Sequence, residues 1–442
     1  MCCQRPFSCV ITRRGFWPIA VATKLLLVLV VLGALHAPFN LAQFQDAYAN
    51  WPSSGKADLT SRFATWDVAH YLILSQRGYQ AGSHSCAFYP LWPMLLRGAT
   101  VVTGGRPVLA AMLLANALSL VGLWMLYRLV ERHYGAAISR DALILLLACP
   151  GALFFSFPYS ESLFLVLLMA FFWGLERGRW GWTAVAGFLL PLSRPVGVFV
   201  LLPLAWFFWE RGWPRWPVLR RAWERFGKAT AGLLRRRGTP SAAGSSDAGY
   251  QSLPQPGFGE TAGGDEGQSG AARLPLGFRP WLLLSAPLLG YALYFGLMYV
   301  WTGNALEGFA AQKAYPNSPS IKNMIKVAGF TEALLNIGSL DGMMDGLLDR
   351  AFFVVVLLAL PRVWRLNRVW FWYVLSAGLV PALTSWFMSY RRYVVVLFPV
   401  FIVLARLLAQ AKSRWLFWYY VVGLAALQAW AVKQFVNFNW AG

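Results

Sequence analysis

Long apolar segments recur through this chain and constrain its fold more than any other feature. Many approach or reach the roughly 18 to 20 residues that a helix needs to cross a bilayer. Inside hydrocarbon every backbone polar group must be bonded within the protein, which favours helices. Only 13% of the residues are charged and 58% are hydrophobic, whereas soluble chains carry about 25% charged residues. The sequence therefore predicts an all-α, polytopic integral membrane protein.

Hydropathy predicts a bundle of about eleven transmembrane helices. The predicted spans lie near residues 16–38, 107–129, 139–157, 160–176, 180–193, 196–210, 281–301, 346–360, 369–388, 392–410 and 415–434. Lys and Arg are concentrated in alternate loops, and the more basic set of loops is expected to stay in the cytoplasm. This predicts a cytoplasmic N-terminus and a non-cytoplasmic C-terminus. Because the net charge of +21 follows this alternation, we predict membrane lipids, and no nucleic acid, as its partners.

The chain divides into three predicted parts: an N-terminal transmembrane module (1–210), a cytoplasmic loop (211–280) and a C-terminal transmembrane module (281–442). The cytoplasmic loop begins basic and Trp-rich, which suits anionic lipid headgroups. It continues as a Gly/Ser/Pro-rich stretch with the composition of disorder. Two long non-cytoplasmic loops, 39–106 and 302–350, have their own apolar periodicity, and loops this long are usually functional.

The first long loop places Asp67 and His70 three residues apart, in a segment with the periodicity of a short amphipathic helix. Residues three apart share a helix face, so the carboxyl and imidazole groups are expected to lie together at the membrane interface. A carboxylate there can act as a general base on a hydroxyl group. From the residues alone, Asp67 can equally be a solvated or helix-capping acid, and His70 a packing or hydrogen-bonding residue.

Other polar residues on the same predicted side form candidate binding groups. They are Tyr89 in Phe88–Pro93, Tyr159 and Glu161 in the turn Phe155–Phe164, Arg194 between two spans, and Arg391, Arg392 and Tyr393 in Ser389–Pro399. A guanidinium group binds phosphate through two parallel hydrogen bonds, and aromatic rings can stack on sugars. The alternatives are that Glu161 caps a helix N-terminus and that the arginines snorkel or anchor the protein at the interface.

A row of acids in the second long loop has a pattern that does not indicate one kind of site. Asp341, Asp345 and Asp349 are spaced four residues apart, and we interpret them as a solvated helix face in preference to a metal site. The five cysteines show no metal-ligand spacing.

Taken in order, four of these segments resemble the PIG-V family, GPI mannosyltransferase II and its bacterial relatives. The segments are Arg62 to Gly78, Phe88-Tyr-Pro90, Phe157 to Phe164, and Arg391-Arg-Tyr393 running to Phe398-Pro399. The resemblance implies a GT-C glycosyltransferase: a multi-spanning enzyme that uses polyprenyl-phosphate sugars on the non-cytoplasmic side. It also implies a bacterial plasma membrane, with the active site facing the periplasm or the exterior.

For the chemistry, the resemblance implies an inverting transfer of mannose from a lipid-phosphate donor to a glycolipid or similar acceptor. Such a transfer needs one base and a phosphate leaving group, so we expect that no cofactor is required, with a divalent metal as the alternative. Asp67 becomes the general base, Arg391 and Arg392 become candidates for the donor phosphate, and Tyr159 and Glu161 become donor or acceptor contacts. The acceptor stays open, because the 211–280 insertion is unusual for such enzymes and a bacterial chain need not have a GPI acceptor.

Two other classes of function compete with this prediction. A lipid or solute transporter, or a flippase, would place ionisable residues deep in several spans and would often show related halves. The chain has few such charges and no internal repeat. A non-catalytic scaffold of a glycolipid pathway is the third hypothesis, since such a subunit could share these motifs.

Overall fold

The computed structural model describes residues 7–211, 280–316, 318–411 and 413–441. These residues form α-helices, short 3₁₀ helices and loops, with one isolated β-bridge between Ser339 and Gly346. The predicted all-α membrane fold is confirmed. The predicted cytoplasmic loop lies outside the described residues from position 212 to 279.

The N-terminal part contains eight α-helices, described here in chain order. They are α1 (Phe7–Ala34), α2 (Leu41–Asp46), α3 (Asp67–Arg77), α4 (Leu91–Val102), α5 (Pro107–Ala148), α6 (Glu161–Glu176), α7 (Trp180–Ser193) and α8 (Leu201–Glu210). Short 3₁₀ helices connect them at Leu59–Arg62, His84–Ala87, Pro150–Phe155 and Pro195–Val200.

The described C-terminal part contains eight further α-helices. They are α9 (Pro280–Thr302), α10 (Glu307–Gln312), α11 (Val327–Leu335), α12 (Leu347–Leu366), α13 (Arg368–Ser385), α14 (Tyr390–Val394), α15 (Phe398–Gln410) and α16 (Arg414–Val436). A 3₁₀ helix, Ile321–Ile325, precedes α11, and both expose apolar side chains, as an interfacial segment would.

Among the described residues, four helices are long and apolar enough to cross a membrane by length and composition: Gly15–Ala34, Pro107–Ala148, Pro280–Thr302 and Arg414–Val436. The number of crossings and their boundaries stay predictions, but the α-helices at two predicted spans have different ends. The span at 139–157 ends as an α-helix at Ala148, just before Pro150, whose ring cannot continue a regular helix. The span at 392–410 begins at Phe398, with Pro399 in its first turn, where a missing N–H costs nothing.

The helix α5 changes direction sharply at Gly135. This residue has φ of 79°, a left-handed conformation that glycine adopts without steric cost. The hydroxyl of Ser139 donates to the carbonyl oxygen of Tyr127 at 2.6 Å, although twelve residues separate them. The chain therefore folds back here, and the two predicted spans within α5 pack against each other.

The two long loops meet at one end of the bundle, which we call the Asp67 end. The Gly82 N–H donates to the Glu307 carboxylate at 2.6 Å, and the Tyr315 hydroxyl lies 3.3 Å from Nε2 of His70. Asn437, which follows α16, donates to the carbonyl oxygen of Ala34 at 3.0 Å. The structure thus brings together segments that the topology prediction assigned to the non-cytoplasmic side of the membrane.

Lys24, predicted to lie within the first span, is held by polar groups of two other segments. Its ammonium lies 2.8 Å from the Asn116 side-chain oxygen and 2.7 Å from the Ser156 hydroxyl. It also donates to the carbonyl oxygen of Phe155 at 3.2 Å. A charge within a span needs such partners, and these bonds fasten α1 to α5 and to the segment that leads into α6.

We expect Lys24→Met to lower the free energy of unfolding by roughly 1–3 kcal/mol, because buried acceptors lose their donor. Thermal unfolding in a single detergent measures the effect. Lys433→Met is the matched control, since Lys433 is exposed on α16. Equal midpoints for the two variants would show that the Lys24 network contributes nothing to stability.

Candidate active site

Asp67 is the first residue of α3, and its carboxylate lies in the first helical turn. The helix dipole favours a negative charge at this position. The predicted helix is confirmed, and its place relative to the membrane interface stays a prediction. Seven of its eleven residues, from Val68 to Leu72 together with Leu74 and Ser75, are buried inside the protein. Neighbouring segments cover both sides of the helix.

Asp67 belongs to a row of alternating charges that comes from four separate segments. Its carboxylate pairs with the guanidinium of Arg392, and Nε of Arg392 donates to Glu161 at 2.7 Å. The same Glu161 oxygen pairs with Arg194. We call Asp67, Arg392, Glu161 and Arg194 the charge row. It contains two acids and two arginines, so it is neutral as a unit.

The charge row runs from a partly open end to a closed one. The Asp67 side chain keeps 23% of its surface exposed, whereas that of Glu161 has none. Burial lowers the pKa of the Arg392 guanidinium, but the carboxylates of Asp67 and Glu161 more than reverse this effect and raise it well above its usual value. The second carboxylate oxygen of Glu161 is buried and has no hydrogen-bond partner in the part of the chain described. The row therefore presents Asp67 as its accessible acid.

Aromatic rings enclose both arginines of the charge row. The guanidinium carbon of Arg392 lies 4.6 Å from the ring centre of Tyr159 and 5.1 Å from that of Phe154. The guanidinium carbon of Arg194 lies 5.2 Å from the ring centre of Tyr393. Such cation–π contacts strengthen when they are desolvated. They also hold each guanidinium plane in place while its N–H groups remain available for acids.

The segment between Pro150 and Glu161 is irregular because prolines interrupt it, and neighbouring helices hold it in place. The Trp92 indole in α4 donates to the carbonyl oxygen of Pro158 at 3.1 Å. The side-chain amide of Asn116 in α5 donates to the carbonyl oxygen of Ser156 at 2.8 Å. The predicted tight turn is confirmed. Glu161 lies in the first turn of α6, where the helix dipole favours a negative charge. It does not cap the helix, because the N-cap residue is Ser160 and the Glu161 carboxylate bonds arginine side chains.

Arg391 lies next to Arg392 in sequence but is held in a different environment. Its backbone N–H donates to Asp349 at 2.8 Å, its Nε lies 3.5 Å from the same carboxylate, and its guanidinium pairs with Asp341. Only 1% of Arg391 is exposed. Consecutive residues on a helix point about 100° apart, so the structure brings Arg392, and not Arg391, to Asp67. Interpreting either arginine as an interface anchor is wrong.

The acids of the second long loop are structural partners of Arg391. The interpretation of Asp341 and Asp349 as a solvated face is wrong, because both side chains are enclosed. Burial raises the pKa of Asp341 in spite of the opposing effect of Arg391. Asp345 is bonded separately, to the Ser339 hydroxyl at 2.9 Å. Within the described residues no group of three potential metal ligands occurs.

His70 supports the loops around Asp67 through both of its ring nitrogens. Nδ1 lies 2.9 Å from the Ser85 hydroxyl, and Nε2 lies 3.3 Å from that of Tyr315. Its ring stacks on Phe88 with centres 4.7 Å apart. Burial lowers the pKa of His70 to about 4, so the imidazole is neutral near pH 7. These contacts agree with the alternative that His70 is a packing or hydrogen-bonding residue.

Tyr89 belongs to a separate aromatic cluster against α9. Its hydroxyl lies 3.0 Å from that of Tyr291, and its ring stacks on Tyr294 at 4.4 Å. The candidate residues that gather around Asp67 are therefore Tyr159, Glu161, Arg194, Arg392 and Tyr393.

Sequence reasoning did not select Tyr71, whose hydroxyl lies 3.3 Å from Ser160 beside the charge row. Its position four residues after Asp67, on the same helix face, was the available signal. Tyr315 comes from the second long loop, and no local pattern could have paired it with His70.

Comparison with known families bears directly on this site. Residues 54–211 match the family model of mannosyltransferase (PIG-V). The resemblance to the PIG-V family is confirmed for this segment. The PIG-V segment covers less than half of the chain and contains Asp67, Glu161 and Arg194, whereas Arg392 lies outside it. A membrane glycosyltransferase is the class of protein that this match supports.

Among solved structures, the chain is similar to the archaeal oligosaccharyltransferase AglB from Archaeoglobus fulgidus, determined in complex with an inhibitory peptide and a dolichol-phosphate. The two share 11% sequence identity with a TM-score of 0.40, over 96% of this chain and 56% of AglB. The chain thus spans little more than half the length of that protein. No curated protein sequence matches this chain significantly.

Proposed function

We propose that this protein is a membrane mannosyltransferase. It transfers mannose from polyprenyl-phosphate mannose to a hydroxyl group of a glycolipid or similar acceptor, at the non-cytoplasmic face of a bacterial plasma membrane. The observation that carries the proposal is the partly exposed carboxylate of Asp67. It stands at the open end of a buried charge row, within a segment that matches a mannosyltransferase family.

The proposed reaction is a single displacement at the anomeric carbon. Asp67 removes the proton from the acceptor hydroxyl as its oxygen attacks that carbon. The bond from the anomeric carbon to the phosphate oxygen breaks, and the polyprenyl phosphate leaves with the electron pair. The configuration inverts, and the proton that left the acceptor ends on the Asp67 carboxylate.

Arg392 has two functions in this proposal. We propose that the donor phosphate takes the place of Asp67 on the terminal nitrogen of Arg392, while Nε stays bonded to Glu161. The arriving phosphate then frees the base and is itself bound. Glu161 and Arg194 hold Arg392 in place throughout.

Some of the other predicted site residues line the proposed donor site, and the rest support the loops around it. Tyr159 and Tyr393, whose rings already face the two arginines, line the proposed donor site, where an aromatic face can also contact a sugar. His70 and Tyr89 have their side-chain polar groups bonded within the protein, and Arg391 pairs with Asp341 and Asp349. They support the loops around the site.

No resident cofactor takes part in the proposed mechanism, since Arg392 supplies positive charge to the phosphate leaving group. A divalent metal is the alternative source of that charge. Transfer assays with and without EDTA separate the two: activity that persists in EDTA agrees with the proposal, and activity restored only by added metal contradicts it.

The test of the function is an in vitro transfer assay with the purified full chain. A panel of polyprenyl-phosphate mannose, glucose and galactose is offered with extracted membrane lipids, and the anomeric configuration of the product is determined. We expect transfer from the mannosyl donor with inversion. Movement of labelled lipid across vesicles without transfer would favour a flippase, and transfer that requires an added partner would favour a scaffold.

A further inference from the structure

The segment that follows α16, residues 437–441, is built into the wall beside α3. We call it the post-α16 segment. Its Asn437 carbonyl oxygen accepts from the backbone N–H of Asn40 at 2.9 Å, and its Asn439 side-chain oxygen accepts from the Asn40 amide at 2.9 Å. The Asn437 side-chain oxygen pairs with Arg62. These bonds fasten the segment to the first long loop at Asn40 and at Arg62, both of which precede Asp67 in the chain.

Trp66, the residue before Asp67, makes three side-chain contacts with this segment. Its indole N–H donates to the carbonyl oxygen of Asn439 at 3.0 Å. Its ring stacks on Phe438, with centres 5.2 Å apart and planes at 27°, and meets the edge of Trp440 at 5.2 Å. Phe438 is fully buried. The post-α16 segment thus contacts the ring of Trp66 through two aromatic side chains, and its one polar side-chain atom through a backbone carbonyl.

Both stacked residues have left-handed backbones. Trp66 has φ of 53° and Phe438 has φ of 60°, which is unusual for bulky side chains. Such conformations persist only where the surroundings over-determine them, and they cluster at functional sites. Trp66 is also the N-cap of α3 and has no side-chain cap bond. Its backbone therefore sets the direction in which α3, and with it Asp67, begins.

We infer that the post-α16 segment is a positioning element for Asp67: Phe438 and the Asn439 carbonyl hold Trp66 in its left-handed conformation and so aim the carboxylate at the reacting atoms. The inference rests on the proposed function, since it assigns Asp67 a chemical task. A displacement of about 1 Å at a reacting group can cost roughly 100-fold in rate. Loss of the Phe438 ring is thus expected to reduce turnover more than substrate binding.

Phe438 also contacts Phe39 and Phe44, so a loss of stability must be separated from a loss of positioning. Phe417→Ala is the matched control. Phe417 is equally buried and packs at the opposite end of α16. Both variants remove one buried ring, and only one of these rings touches Trp66.

The experiment compares kcat, KM for polyprenyl-phosphate mannose and thermal midpoints of Phe438→Ala, Phe438→Gly, Phe438→Tyr and Phe417→Ala. We expect Phe438→Ala to lower kcat about 10- to 100-fold with little change in KM, and Phe417→Ala to keep its kcat. Phe438→Gly relieves the left-handed backbone but lacks the ring, so it should match Ala. Phe438→Tyr keeps the ring and should restore turnover.

Equal kcat for Phe438→Ala and Phe417→Ala, or full turnover of Phe438→Gly, would overturn the inference. If Phe438→Ala does not fold, Trp66→Phe tests the other contact in the inference, because it keeps a ring and loses the bond to the Asn439 carbonyl. We expect this variant to lose about 3- to 10-fold in kcat. An unchanged kcat would contradict the inference. Wild-type protein without transfer activity would instead refute the proposed function. Wild-type transfer that Asp67→Asn abolishes and Phe438→Ala leaves intact would refute this inference alone.

Discussion

Asp67→Asn should reduce kcat for mannosyl transfer by about 10²- to 10⁴-fold, the usual contribution of a general base. The amide has nearly the shape of the carboxylate and can still accept a hydrogen bond from Arg392, but it cannot take a proton from the acceptor. Glu161 still bonds Nε of Arg392 in this variant, so the largely buried guanidinium is not left without an acid when the Asp67 charge is lost. Binding of the lipid-phosphate donor should therefore survive while turnover disappears.

The matched control is Asp58→Asn in the same loop. Asp58 caps the 3₁₀ helix Leu59–Arg62, and asparagine caps as well as aspartate does. The activity of Asp58→Asn should remain close to that of the wild type. Single-turnover assays with radiolabelled donor give the rate, and a direct binding measurement gives the donor affinity. Unchanged turnover in Asp67→Asn would remove this residue from the chemistry.

Arg392→Lys should lower kcat by about 10²-fold or more, as the loss of a preorganised donor at a developing charge does elsewhere. Arg392 bonds Glu161 through Nε and Asp67 through a terminal nitrogen. A lysine keeps the charge but offers one compact ammonium in place of a planar fork. It cannot hold Glu161 while it exchanges Asp67 for a phosphate.

Arg391→Lys provides the neighbouring control and the opposite expected pattern. Arg391 joins Asp341 and Asp349 away from the charge row, so its replacement should lower the thermal midpoint, because two enclosed acids lose a well-placed partner. The folded fraction should retain its kcat. A kinetic loss in Arg391→Lys together with full turnover in Arg392→Lys would reverse the assignment of the two arginines.

Local patterns along the chain were sufficient to predict the helical membrane fold, the helix that begins at Asp67 and the turn before Glu161. Each depends on interactions within a few residues. Apolar length predicts helices because backbone groups in hydrocarbon must be bonded internally, and Pro158 and the adjacent Ser and Tyr residues indicate a break. The ordered motifs also carried the resemblance that the family comparison confirmed for residues 54–211.

The choice of partners depended on the tertiary structure. Arg391 and Arg392 are adjacent and chemically identical, and only the packing of α14 decides which one faces Asp67. Likewise, the enclosure of Asp349 and the stacking of Trp66 on Phe438 join segments far apart in sequence. The physical reason is one of range: helical periodicity and proline breaks act within a few residues, whereas an ion pair or a ring stack depends on where distant helices meet.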